Sequence, residues 1–221
     1  MKRHLAILYC VVLFSSSYSQ NTFEGVVKFK TDIKGQNSVM IGMMPDSFIF
    51  LFKDKDSKIM LQGGIVSAMM GDIISKGDSN ISFMLDYPEK IAYRFDKYKF
   101  EKAMTVDVEE TGKTKKILNK KCTLYRISYD SKDGNVVSDL WMTNELPVAI
   151  PRNNPMGKYF VYSDLPGFPL LIESKIKYQA TEFDIIISAV RIIERPIPAS
   201  EFTIPPDFKI VPLLTTSELG F

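Results

Sequence analysis

The sequence predicts a mainly β protein: one large, meandering antiparallel sheet with few, short helices. Fifteen Phe and ten Tyr against a single Trp, among many β-branched residues, favour strands over helices. Apolar and polar residues alternate in twos over many short segments. Brief loops rich in Gly, Asp, Asn and Pro separate those segments, and such short connections favour a meandering antiparallel sheet.

The opening strand shows the alternation clearly. Phe23, Gly25, Val27 and Phe29 fall on one face, and Glu24, Lys28 and Lys30 on the other. Lys34-Gly35-Gln36-Asn37 supplies a turn. Ser47 to Phe52 and Ile59-Met60-Leu61 form a hairpin around the charged tip Lys53 to Lys58. Next, Ile81, Phe83, Leu85 and Tyr87 alternate with Ser82, Met84 and Asp86. After the Tyr87-Pro88-Glu89-Lys90 turn, Ile91, Tyr93 and Phe95 alternate with Arg94 and Asp96. Tyr98 and Phe100, set between Lys97, Lys99 and Glu101, make another half-buried strand. Strands follow at Lys115 to Leu118, Cys122 to Tyr129, Val136 to Thr143, Leu170 to Tyr178 and Thr181 to Glu194. Two stretches depart from the pattern. Gly63 to Ile74 fits a short helix, a strand or a flap, and Leu146 to Pro169, with five prolines, reads as a long irregular connection.

The first 19 residues or so read as a cleavable signal peptide: basic Lys2-Arg3, an apolar run from Leu5 to Phe14, and small Ser17 and Ser19 before Gln20. Ten apolar residues are too few for a bilayer core, which needs about 20, so no integral membrane protein is expected. Tyr9 before Cys10 is too large for a lipid-attachment motif. Residues 20–211 then form a single β-rich domain, and 212–221 a C-terminal tail. Loss of Lys2 and Arg3 lowers the basic count from 28 to 26, equal to the 26 acidic residues. A neutral domain lacks the basic footprint of a nucleic-acid binder.

The sole histidine, His4, lies in the signal, which removes the commonest general base and metal ligand from the domain. No phosphate loop, dinucleotide fingerprint or nucleophile elbow is present, so neither cofactor nor enzyme activity is expected. Asp54 and Asp56 lack the glycine and distal glutamate of a calcium loop and read as a solvated hairpin tip. Glu24 and the pair Glu109-Glu110 have no spacing that fixes two carboxylates for acid-base work. Cys122, flanked by Lys120 and Lys121, reads as a small apolar residue packed from a strand rather than a reactive thiol. Methionine is abundant in the first half, at Met40, Met43, Met44, Met60, Met69, Met70 and Met84. Flexible thioethers fill cores and also suit adaptable apolar binding surfaces.

Four segments resemble a secreted family known as domain of unknown function 4412. They are the Lys-Cys-Tyr strand Lys116 to Ile127, the tryptophan strand Leu140 to Pro147, the Gly-Phe-Pro-Leu strand Pro166 to Glu173, and the closing segment Ala199 to Phe208. Asn119 stands where that family commonly has glycine, a replacement that left-handed backbone angles tolerate. The resemblance implies export from a Gram-negative cell and kinship with the lipoprotein carriers LolA and LolB, whose curved antiparallel half-barrel holds acyl chains on its concave face. On that footing the expected partners are an apolar ligand or a lipoprotein, with an envelope protein as the alternative. The residues expected to line the groove are Phe29, Phe50, Met60, Phe83, Tyr93, Phe100 and Trp141, chosen by alternation.

The exported chain should begin at Gln20, within two residues. Intact-mass and N-terminal analysis of secreted material check this, and an intact Met1 or an acylated Cys10 would refute it.

Overall fold

In the computed structural model the residues described are 22–35, 42–95, 107–131, 134–148, 165–178 and 181–212. They form twelve strands. The first six are β1 (Gly25–Gly35), β2 (Ser47–Lys53), β3 (Asp56–Gln62), β4 (Ile73–Lys76), β5 (Ile81–Asp86) and β6 (Ile91–Arg94). The second set is β7 (Asp107–Ile117), β8 (Lys120–Ser131), β9 (Gly134–Thr143), β10 (Phe168–Tyr178), β11 (Thr181–Glu194) and β12 (Lys209–Pro212). All belong to one sheet, in the order β12-β6-β5-β4-β3-β2-β1-β11-β10-β9-β8-β7. Two antiparallel meanders, β1 to β6 and β7 to β11, are thus fused where β1 pairs with β11 through eleven partnered residues.

Local chemistry sets these elements. The β7–β8 hairpin turns on Leu118 and Asn119, with φ of 48° and 64°. Two positive φ values are what the strand twist requires of a two-residue turn, and Asn119 accepts one readily. The ambiguous stretch after Gly63 divides into a six-residue helix, α1 (Gly64–Met69), and β4. The strand expected at Lys115 is the end of the longer β7, and Lys97 to Lys102 lies outside the described residues.

Curvature can be read from side chains. Phe168 of β10 lies three strands from β2, about 14 Å in a flat sheet. Yet its ring centroid is 5.9 Å from that of Phe50 and 5.5 Å from that of Phe52. The sheet therefore curls so that its concave face packs on itself. Two irregularities assist: the β1–β11 register shifts between Lys28 and Phe29, and β10 holds an extra residue between Pro169 and Leu171. Gly167, at φ 91°, precedes this bend, and a Cβ there would run into the Thr143 carbonyl.

The concave face carries the main core, including Val27, Phe29, Phe48, Phe50, Phe52 and Ile59, continuous with Phe168, Ile172, Ile187 and Cys122. The first meander is buried on its convex face as well. Val26, Leu51, Ile74, Leu85 and Ala92 lie under Ile197 and Phe202 of the C-terminal segment. Burial on both faces explains why Phe48-Ile49-Phe50-Leu51-Phe52 is apolar at every position.

Glu24 fixes the start of that C-terminal segment. Its carboxylate accepts the Ile197 N–H at 2.7 Å and the Lys53 ammonium at 2.6 Å, which together hold its pKa below the ordinary value. The segment ends as β12, parallel to β6, beside a Lys90–Asp207 ion pair of 2.8 Å.

Phe168→Ala should cost roughly 3–5 kcal/mol, because it empties the point where the curled sheet meets itself. Ser57→Ala should be neutral or stabilising, since its buried hydroxyl has no hydrogen-bond partner. Urea unfolding of the two variants checks both.

Candidate functional site

The residues expected to line a groove fall into two groups. Phe29 and Phe50 are 1% and 0% exposed, with ring centroids 5.5 Å apart, and belong to the concave core. Tyr93 and Trp141 are half-buried at the fringe of the same core. Met60 and Phe83 lie on the convex face, at the fringe of the cluster beneath the C-terminal segment. Phe100 lies outside the described residues. The inward residues of β3 and β5 are instead Ile59 and Met84, which both pair with Ile73. Alternation separates two faces but cannot say which is inside when both are apolar. Lys58, on Met60's face, was the one available sign. Phe83 had none, because its neighbour Ser82 is buried and bonded to Ser75 at 2.7 Å.

The other chemistry-bearing residues are engaged structurally. Asp56 pairs with Lys76 at 2.6 Å, and Glu109 lies opposite Arg126 in the β7–β8 register. Among the described residues no three His, Cys, Asp or Glu side chains converge as a metal site, and no helix is long and apolar enough to cross a membrane. Cys122 is fully buried, its thiol donating weakly to the Lys120 carbonyl at 3.6 Å. Burial pushes the thiol pKa up. A backbone contact from Ile117 and the Lys115 ammonium pull the other way without cancelling it.

Sequence reasoning did not find the open trough over β8 to β11, with a volume of about 670 Å³. Its charged residues come from four strands. Arg126 grips Asp139 with two hydrogen bonds, Nε to Oδ1 at 2.7 Å and a terminal nitrogen to Oδ2 at 2.9 Å. Glu173 faces Asp139 across the β9–β10 pair, and its Oε2 accepts the Trp141 indole N–H at 3.3 Å. Lys115 stands 3.9 Å over the Trp141 ring, a cation–π contact. Lys177 and Glu182 close the far end with a 3.2 Å ion pair. In sequence these residues are ordinary outward positions of separate strands, so only the register brings them into one row.

No family model matches the chain, and no curated protein does. The resemblance to the secreted family therefore stands on its four segments alone. Among solved structures, one of PNGF-II is 13% identical with a TM-score of 0.47, covering 87% of this chain and 32% of its own. This chain thus spans about a third of that protein's length. A chain from Vibrio parahaemolyticus, assigned as an outer membrane lipoprotein-sorting protein domain, is 7% identical with a TM-score of 0.35, covering 81% of this chain and 89% of its own. Likenesses this distant add nothing to the architecture that the strand pairing establishes.

Cys122 should resist thiol reagents in the folded protein and react at once in urea. Cys122→Ser should preserve the fold at a modest cost in stability. Timed alkylation read by mass spectrometry distinguishes this from a reactive thiol, which would label without denaturant.

Proposed function

We propose that this chain is an exported, non-catalytic binding protein of the cell envelope, whose ligand is an acyl chain, a lipid or the lipid anchor of a lipoprotein. The observation that carries the reading is the concave face of the curled sheet. A continuous apolar lining drawn from both meanders faces inward there, and its half-buried fringe includes Met44, Met70, Tyr93 and Trp141. The helix α1 contributes no buried residue to it. Thioethers repack at low cost, so Met44 and Met70 in that fringe suit guests of variable shape. The signal-like leader, the lack of histidine after His4, and the resemblance to secreted proteins of the lipoprotein-carrier type support the same reading.

A second reading is a protein-interaction module of the envelope with no small-molecule ligand. The close ring packing of Phe29, Phe50, Phe52 and Phe168 favours it, because a guest at that point must displace rings that already satisfy one another.

On the first reading, affinity rises with acyl length. Each buried methylene contributes about 0.8 kcal/mol before ordering costs. Fluorescent fatty-acid titration of delipidated protein across a chain-length series, with native mass spectrometry of protein from its own envelope, measures this. Absent or length-independent binding would remove the carrier reading and leave the interaction module.

A further inference from the structure

We infer that the trough over β8 to β11 is a second binding site, bordering the apolar interior at Ile176 and Phe183, and that its ligand is a neutral oligosaccharide. Asp139, Glu173, Glu182 and Asp184 face Arg126, Lys175 and Lys177, which leaves the lining at a net charge of −1. Most of it is already paired, Arg126 with Asp139 and Lys177 with Glu182. An anionic ligand would meet an excess of carboxylates. An apolar ligand would strip water from seven charged groups and return no hydrogen bonds. A cation would need converging carboxylates, and no such group of three occurs among the described residues.

An extended peptide is also disfavoured. Strand addition needs an open edge, whereas β8, β9, β10 and β11 each have paired neighbours on both sides. What remains is a neutral molecule rich in groups that both donate and accept. Sugar hydroxyls do both. Carboxylates held at one oxygen keep lone pairs for such donors, as Glu173 does while its Oε2 receives the indole N–H. Arg126, fixed in plane by Asp139, presents its remaining N–H groups in a set direction. Trp141, one row along β9 from Asp139, borders the polar row through the indole N–H it gives Glu173, while its ring carries Lys115 and packs on the concave core. A volume of about 670 Å³ lies within the ordinary range for ligand sites and admits a short oligosaccharide.

Trp141 is the only tryptophan in the chain and donates its indole N–H to Glu173, so its fluorescence responds to binding at the trough as well as at the fringe of the apolar core, and the Glu173 variant separates the two. The test titrates the exported chain with cellotetraose, maltotetraose and the N-acetylglucosamine tetramer, and with a heparin-derived tetrasaccharide as the anionic control. Calorimetry runs in parallel. The expected result is a saturable Trp141 emission change with at least one neutral tetrasaccharide and none with the anionic one. Glu173→Gln should weaken that binding about tenfold or more. The variant should keep the wild-type unfolding midpoint and wild-type fatty-acid binding, which separates this site from the apolar interior. The inference is overturned if no neutral tetrasaccharide binds, if the heparin fragment binds equally well, or if Glu173→Gln binds like the wild type.

Discussion

The pairing of β1 with β11 is the constraint on which the rest of the structure depends. It joins Gly25–Gly35 to the distant residues Phe183 to Glu194 of β11, through eleven partners. Without it each meander would end in an open, half-apolar edge, a state that invites pairing with other chains. With it, the strands at the seam are central and the free edges fall to β7 and β12. The outer strand β7 is mostly exposed and rich in Lys and Glu, and β12 is four residues long and ends in proline. Both are features that discourage further strand addition.

The seam also fixes the curl. The irregularities at Lys28/Phe29 and Pro169/Leu171 lie on the strands at or beside it and turn the concave faces of the two meanders toward each other. Phe168 then meets Phe29, Phe50 and Phe52 in edge-on contacts at 5.5–5.9 Å. Such aromatic pairs contribute about 0.5–1.5 kcal/mol each beyond the area they bury. Glu24, directly before β1, anchors the C-terminal segment over the convex face, so one strand organises both faces of the first meander.

The two meanders differ in what they offer to ligands. The first is apolar on both faces along β2, whereas Lys30, Asp32 and Lys34 of β1 are exposed. The second carries a row of charges over β8 to β11, two pairs of which are bridged, beside its apolar residues.

The sequence by itself determined the strand class and most of the hairpins, and Leu118, read there as the end of a strand, is in the structure a turn residue with positive φ beside Asn119. Strand class and hairpins depend on alternation, turn chemistry or residue type within a few positions. Only the tertiary structure decided that β1 lies beside β11, that Met60 and Phe83 point away from Phe29 and Phe50, and that Arg126, Asp139 and Glu173 stand in one row. A period of two marks two faces but does not rank them. Where the C-terminal segment buries the second face, as it does over Leu51 and Ile74, the polar residues that would reveal the outside are missing. The order and register of strands are set by long-range hydrogen bonds and ring packing, interactions that no local stretch of sequence contains.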